Sequence, residues 1–442
     1  MNREPEPRTS NLERRTDEDH RSRNQRVIAV IGAGAAGTMA AIFAAASGAE
    51  TLLLERTADG GRKILISGGG RCNILPARLD ESRFVSDAQP HLVRRIVRSW
   101  PLREQIAFFE RELGLPLVEE VESAKLFPAS QRARDVRDRL LDLAQRRGVR
   151  LLMKTTVTGF WPEDGSWRVD VHDSAPLRAD ALIVATGGLS VPSTGSDGAG
   201  LRIVEALGHA VRPTYPALTP LVASPAPFAL LSGISLPVTI TARADGLAAT
   251  ASGGFLFTHH GYSGPAVLDV SHVAVRSRME AIAPARIVVR WAPFGDAEWT
   301  AALKPQGSRT VLTAVGDVLP SRLAEALLEA SGVSPRLPLA NLTRVDRLRL
   351  IETLVRCELP WTGDEGYKKA EVTGGGVSLA DIDPKTMESR RHKGLFLCGE
   401  MLDAFGPIGG YNFLWAWATG RAAGMGASAT IKGLASTEGF SS

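Results

Sequence analysis

The sequence predicts an α/β fold in which a domain built on a parallel sheet is interrupted by a second, inserted domain. Three observations predict it. Gly32-Ala33-Gly34-Ala35-Ala36-Gly37 stands between an apolar strand-like run and a helical one. Two more apolar runs, Ala181–Thr186 and Gly394–Glu400, lead straight into glycine or an acid. The glycine-rich texture then fades between about residues 196 and 363 and returns afterwards. A chain of 442 residues holds two or three domains at roughly 150 residues each.

The first 25 residues mix both charges with almost no apolar side chains, so they are expected to form a disordered tail. They also lack the apolar core of a secretory signal. Val27–Ile31 reads as a buried parallel strand, and a helix follows from Ala35 to about Ser47. Gly48 is placed for a left-handed C-cap. Thr51–Leu54 is the next strand, ending at Glu55. Val27–Ala49 is uncharged over a membrane-spanning length, but four glycines interrupt it, so strand, turn and helix explain it better. GGRKILISGGGRCN (Gly60–Asn73) follows, and its Ile64–Ile66 segment is expected to be buried. Residues 88–148 read as charge-rich helix. Asp164-Gly165 is a hairpin turn before the alternating strand Trp167–His172. Residues 215–295 hold short strand-like runs, and 318–357 carry leucines at helical spacing. The expected division is a tail (1–25), a first part of the nucleotide-binding domain (26–195), an insert with β-rich and helical parts (196–363), a second part (364–432) and a C-terminal tail (433–442).

Composition excludes several classes. With 44% apolar and 23% charged residues the chain has material for a sizeable core. A net charge of +4, spread over the whole length, argues against nucleic acid as partner. Cys72, Cys357 and Cys398 are far apart and form no CxxC, which argues against dithiol chemistry, a zinc site or a disulfide framework. A reducing, cytoplasmic setting and the absence of metal are therefore expected.

The glycine motif carries the chemistry. Gly32 permits a tight turn, Gly34 lets backbone approach a pyrophosphate, and Gly37 lets the helix pack on the strand. The helix N-terminus offers free amides and a partial positive charge to phosphates. Glu55 follows at the spacing of about 20 residues where such folds hold a ribose. A carboxylate there accepts hydrogen bonds from both ribose hydroxyls and argues against a 2′-phosphate. The further glycine clusters favour FAD over NAD as the resident cofactor. In Arg62, Lys63, Ser67, Gly68, Gly69, Gly70, Arg71, Cys72 and Asn73, bare backbone alternates with cations expected to neutralise phosphate. Glu400 after Gly399 is placed for the ribityl hydroxyls. Gly409, Gly410, Tyr411, Asn412 and Phe413 open a helix whose N-terminus would face the pyrimidine edge of a flavin. Ala33, Ala35, Ala36, Arg56, Val157, Ala185, Thr186, Gly187 and Gly188 complete the expected cofactor site. Trp415, Trp417 and Cys398 read as packing residues.

Several long segments resemble the HI0933-like (BaiN/YhiN-type) flavoproteins: GRKILISGGGRCN, ALIVATGGLSVP, LFTHHGYSGPAVLDVS, EVTGGGVSL and KTMESRRHKGLFLCGEMLDAFGPIGGYNFLWAWATG. The resemblance covers most of residues 27–427. It implies a glutathione-reductase-type FAD domain split by an insert with a β-rich and a helical part. It also implies non-covalent FAD at Gly32–Gly37, Glu55, Gly399/Glu400 and Gly410–Asn412, and NAD(P)H-linked oxidoreductase activity. Relatives in the family reduce activated C=C bonds. On this reading hydride passes from NAD(P)H through N5 of FAD to a small organic acceptor between the FAD domain and the insert. LFTHHGYSGP is expected to line that pocket. His259 and His260 are either a proton donor or loop histidines satisfied by backbone, and Cys72 is expected to be packed rather than reactive. No catalytic residue and no oligomeric state follow from the sequence. The alternative is a FAD-containing nucleic-acid-binding or RNA-modifying protein gripping phosphate with helices around Arg132–Arg150. Alternating Arg and Asp in RARDVRDRL instead suggest a salt-bridged surface.

Overall fold

The computed structural model describes residues 26–438; the tail expected at 1–25 lies outside them. Five parallel strands form the central sheet, in the order Leu395–Leu397, Ala181–Val184, Val27–Ile31, Glu50–Glu55, Arg150–Met153. Val27–Ile31 and Ala181–Val184 are wholly apolar and almost wholly buried, and Glu50–Glu55 buries its three central leucines, as a parallel sheet covered on both faces requires. The crossover helix Ala35–Ala44 continues as a 3₁₀ turn, Ala45–Ser47, and stops at Gly48 in the left-handed region (φ 82°). Asp180 fixes the start of the first strand, accepting from Val27 N (2.8 Å) and pairing with Arg26 (2.7 Å).

The C-terminal helix Tyr411–Glu438 lies along the crossover helix with backbones in contact. It runs past residue 432, where a tail was expected. No helix among the described residues is long and apolar enough to cross a membrane.

Residues 88–148 are not continuously helical. Between the helices Leu102–Ala107 and Ala133–Arg146, the strands Leu117–Glu120 and Lys125–Pro128 form a hairpin, joined by Leu75–Pro76. Its charges masked it: Glu120 and Lys125 face each other across the ladder, yet in sequence they read as a solvated helix surface. A second antiparallel sheet contains the expected hairpin, Val157–Glu163 and Ser166–Val171 turning at Asp164-Gly165.

A second core is built on a seven-stranded antiparallel sheet with helices against it, including Ser321–Ala330 and Arg344–Val355. Here the 215–295 reading needs correction. Pro265–Met279 is a helix; its valines suggest strand, but Gly264 (φ 94°) turns the chain and Pro265 starts the helix. Cys357 lies in a short strand, because the preceding helix ends at Val355. The second core begins at Leu221 rather than near 196: Leu201 and Val204, on the helix Ala199–Ala206, pack in the first core. The strands Val211–Ala217 and Val372–Val377 pair antiparallel and carry the chain between the two units.

Candidate cofactor cleft and active site

A cleft of about 510 Å³ lies beyond the carboxyl ends of the central strands, where open α/β sheets take their ligands. The glycine motif forms its floor. Gly32 has φ 100°, and a Cβ there would sit 2.6 Å from Ala185 O; at Gly37 it would sit 1.8 Å from Gly32 O. At Gly34 a Cβ would meet no protein atom within 4 Å. Gly32 and Gly37 therefore serve packing, and Gly34 leaves open space at the end of the helix. The first helical bond runs from Thr38 N to Gly34 O, leaving the preceding amides without helical partners.

Glu55 is buried at the end of its strand. Oε2 accepts from Ala33 N (2.8 Å), and Oε1 accepts from Thr57 N (2.8 Å) and Thr57 Oγ1 (2.7 Å). A carboxylate offers about four lone-pair sites, so one remains, on Oε2. It suits one ribose hydroxyl rather than both. Arg56 pairs with Asp197 (2.7 Å) at the same end of the cleft. Thr186 lines the wall, but its hydroxyl is turned away from the cleft against Gly200 and has no partner among the described residues. Open space at Gly34 and a free acceptor on Glu55 together fit a bound dinucleotide.

The opposite wall is the short helix Arg62–Ile66 and the turn Ser67–Gly70, in which Gly68 (φ 55°) and Gly69 (φ 68°) are left-handed. Lys63 Nζ lies 2.5 Å from both Glu400 Oε2 and Ser190 Oγ. Glu400 Oε1 accepts from Thr373 N (3.0 Å), Thr373 Oγ1 (2.9 Å) and Ser190 Oγ. The cations expected to meet phosphate are thus already neutralised: Lys63 by Glu400, Arg62 by Asp59 (2.7 Å), and Arg71 by Glu120 (3.0 Å). Of the segment expected to be buried, only Ile64 is; Ile66 is 53% exposed and forms part of the cleft wall. Cys72 is buried with φ 62°, and burial pushes its thiol up to about 12 against the Ser67 hydrogen bond. Such a thiol is inert at neutral pH.

At the far end Gly409 (φ 125°) and Gly410 (φ 89°) precede the C-terminal helix. Asn412 pins the loop by accepting from Gly406 N and donating to Gly406 O, both at 2.9 Å. Asn73, with its amide turned to donate to Leu75 O, accepts from Gly410 N (2.9 Å). Trp415 donates to Gly399 O (3.1 Å), and Trp417 is buried and stacked on Phe413. Most expected cofactor residues line this one cleft. Ala33, Gly37, Gly69, Gly70, Cys72, Gly188 and Tyr411 do not; Tyr411 turns its hydroxyl to Asp80 N (3.2 Å) instead.

The lining also includes Lys125, Phe127, Glu371, Phe405 and Ile408, which sequence reasoning missed. Lys125 and Phe127 lay hidden in the hairpin read as helix. Glu371 stood in a quoted motif, EVTGGGVSL, without a role. His259 and His260 are exposed in a turn, and no part of LFTHHGYSGP lines the cleft. The second unit approaches through Asp269 instead, which accepts from Ile408 N (2.7 Å) and lies 3.4 Å from Arg83. Burial raises its carboxyl to about 6.

The comparisons with known proteins agree with this geometry. The family model of the HI0933-like protein Rossmann domain matches residues 26–426. The chain is 33% identical over 414 residues to the ribosomal RNA dihydrouridine synthase of Haemophilus influenzae, covering 90% of this chain and 98% of that protein. It is 31% identical over 403 residues to the protein of the same name from Escherichia coli K12, covering 88% and 95%. It is also 31% identical over 417 residues to the 3-dehydro-bile acid delta(4,6)-reductase of Clostridium scindens, covering 91% and 98%. With its parallel sheet, its glycine turn and a match along nearly the whole described chain, the protein belongs to the HI0933-like family.

Proposed function

We propose that the cleft holds FAD and that the protein passes hydride from NADH or NADPH to a carbon–carbon double bond conjugated with a carbonyl. The observation that carries the reading is the cleft, with its open glycine at Gly34, its free acceptor on Glu55 and the carboxylate of Glu400 held along the opposite wall. Bound there, FAD would accept and donate hydride at N5 of its ring. The chain's part is to hold the cofactor, orient the acceptor and supply protons.

The relatives' names support the choice of bond. Dihydrouridine is uridine with two hydrogens added across a ring double bond conjugated with a carbonyl. A 3-dehydro compound with double bonds at positions 4 and 6 is a conjugated dienone. Both names describe one kind of bond, so the bond type is the shared inference. A small enone is the first reading of the acceptor, bound at the Ile408 end where Asp269 of the second unit reaches in. Around Arg132–Arg150, Arg132 pairs with Asp135 (3.2 Å), Arg139 donates to Leu113 O (3.2 Å) and Arg147 pairs with Glu112 (2.5 Å), whereas the exposed Arg134 and Arg146 have no such partner among the described residues. Uridine in ribosomal RNA is the second reading, favoured by two of the relatives' names.

Cofactor released by mild acid should be FAD by mass, and anaerobic NADH or NADPH should bleach the bound flavin. FMN, or no flavin after reconstitution, contradicts the proposal. Salt-dependent binding of a ribosomal RNA fragment, with a mass gain of two hydrogens, would select the second reading.

A further inference from the structure

Nine charged side chains line the cleft, and seven of them are held by the hydrogen bonds and ion pairs described above. Lys125 and Glu371 are the other two. Neither side chain makes a hydrogen bond or an ion pair with any described residue. One is a cation and the other an acid, and they come from different elements. Lys125 begins a strand of the hairpin, and its stem passes 3.8 Å from where a Cβ on Gly409 would lie. It therefore sits at the end of the cleft where the C-terminal helix begins. The fields of Asp269 and Glu120 reach it without closing on it. Glu371 stands just before the strand Val372–Val377, with its amide bonded to Leu218 O (3.2 Å) and its carboxyl open to the cleft.

Glu371 is exposed and Lys125 half-buried, so both charges stand free to meet a ligand that enters the cleft. Reducing a conjugated double bond sets two tasks besides hydride delivery. Negative charge collects on the carbonyl oxygen and needs a cation, and the α carbon needs a proton. We propose that Lys125 holds the carbonyl oxygen of the substrate and that Glu371 delivers the proton to its α carbon. This assignment rests on the function proposed above.

The step balances. With reduced FAD bound, its hydride would form a C–H bond at the β carbon, and the electron pair of the double bond would move toward the carbonyl, giving an enolate of the substrate. Lys125 donates a hydrogen bond to the enolate oxygen and keeps its own proton. The enolate re-forms the carbonyl as its α carbon takes the proton of Glu371. The substrate gains two electrons and two hydrogens, and the flavin loses two electrons. Glu371 is left as carboxylate and recovers its proton from water. Crowding by the cleft walls raises the Glu371 carboxyl above the ordinary range although the residue is exposed, with Lys63 opposing and itself tied to Glu400. The proton-bearing form is thereby kept available closer to neutral pH.

The test uses the FAD-loaded protein, anaerobic rapid mixing and cyclohexenone as probe. Glu371→Gln should slow reoxidation of the flavin by the enone about a hundredfold more than it slows bleaching by NADPH. It should also remove the fall of the reoxidation rate as pH rises, because only the protonated carboxyl delivers the proton. Glu371→Asp, which keeps the acid, should recover part of the rate. Lys125→Met should weaken binding of p-nitrophenolate, read as its charge-transfer band with the flavin, at least tenfold, and Lys125→Arg should restore it. If wild type reduces cyclohexenone while Glu371→Gln keeps its rate and pH profile, or if Lys125→Met binds the phenolate as wild type does, the assignment of that residue is wrong. Wild type that binds FAD but leaves cyclohexenone and other enones unreduced overturns the proposed function and the Glu371 role with it. The phenolate titration still decides Lys125.

Discussion

A Cβ at Gly34 meets nothing within 4 Å, whereas one at Gly37 would lie 1.8 Å from a carbonyl oxygen. Gly34→Val should therefore fold and melt like wild type yet lose its FAD, because the valine fills the space where pyrophosphate approaches. Gly37→Val should not yield folded protein. A Gly34→Val protein retaining stoichiometric FAD would show that this turn does not hold the phosphates. Glu55 supplies three acceptors to its own chain and one to a ligand. Glu55→Gln replaces one acceptor oxygen by a donor and loses charge-assisted bonds worth about 1.5–3 kcal/mol. FAD affinity by equilibrium dialysis should fall roughly ten- to a hundredfold; an unchanged dissociation constant removes Glu55 from the site. Local pattern made these residues legible in the sequence, because glycine turn and acid lie on one strand–helix–strand unit. Partnerships across the chain were not legible. Lys63 reads as a phosphate cation until its partner Glu400, 337 positions away, is brought beside it. Lys125 and Glu371 stand out only after every other charge in the cleft has been paired.

Strand and helix of the nucleotide unit follow from runs of a single texture, such as Val27–Ile31 and Ala181–Val184, which only a doubly covered sheet suits. Reading failed where two signals compete within one element. The valines of Pro265–Met279 favour strand, but a proline at its first turn and burial of its inner face against the second sheet make it helix. The contact of greatest consequence between helices rests on glycine. In the C-terminal helix a Cβ on Gly420 or Gly424 would lie 2.3 Å from Ala36 O or Ala40 O of the crossover helix. Gly424→Val must push the two backbones apart, an overpacking cost of about 1–3 kcal/mol. The expected outcome is a lower thermal midpoint with little change in FAD content, since Gly424 lies outside the cleft lining. An unchanged midpoint would mean that this helix pair yields easily.

The two units meet through charge as well as through the strand pair that links them. Asp403 is buried in the first unit, where burial and the neighbouring Asp87 raise its carboxyl to about 6, while Arg212 and Arg276 oppose the rise. Arg276 comes from the helix Pro265–Met279 of the second unit and also pairs with Asp87 (3.0 Å). Because the folded value lies above the unfolded one of about 3.9, the native state binds this proton more tightly. Its contribution to stability therefore falls as pH rises from about 4 to about 6 and stays low above that, by roughly 3 kcal/mol in all. Asp403→Asn keeps an acceptor for Asp87 N (3.1 Å) without the charge. Urea unfolding should find wild type and variant alike near pH 4, with the variant pulling ahead by neutral pH; a pH-independent gap would show that Asp403 does not titrate at this junction. The cleft itself depends on both halves of the interrupted nucleotide unit, since Glu55 and Glu400 face it from opposite ends of the sequence. The most direct test of the function assigned to it is anaerobic rapid mixing of the fully reduced, FAD-loaded protein with a conjugated enone. The account predicts return of the oxidised-flavin absorption at a rate that rises with enone concentration, with one product molecule, heavier by two hydrogens, formed per flavin. Reduced flavin that persists unchanged in the presence of enones, and reoxidises only when oxygen is admitted, would contradict it.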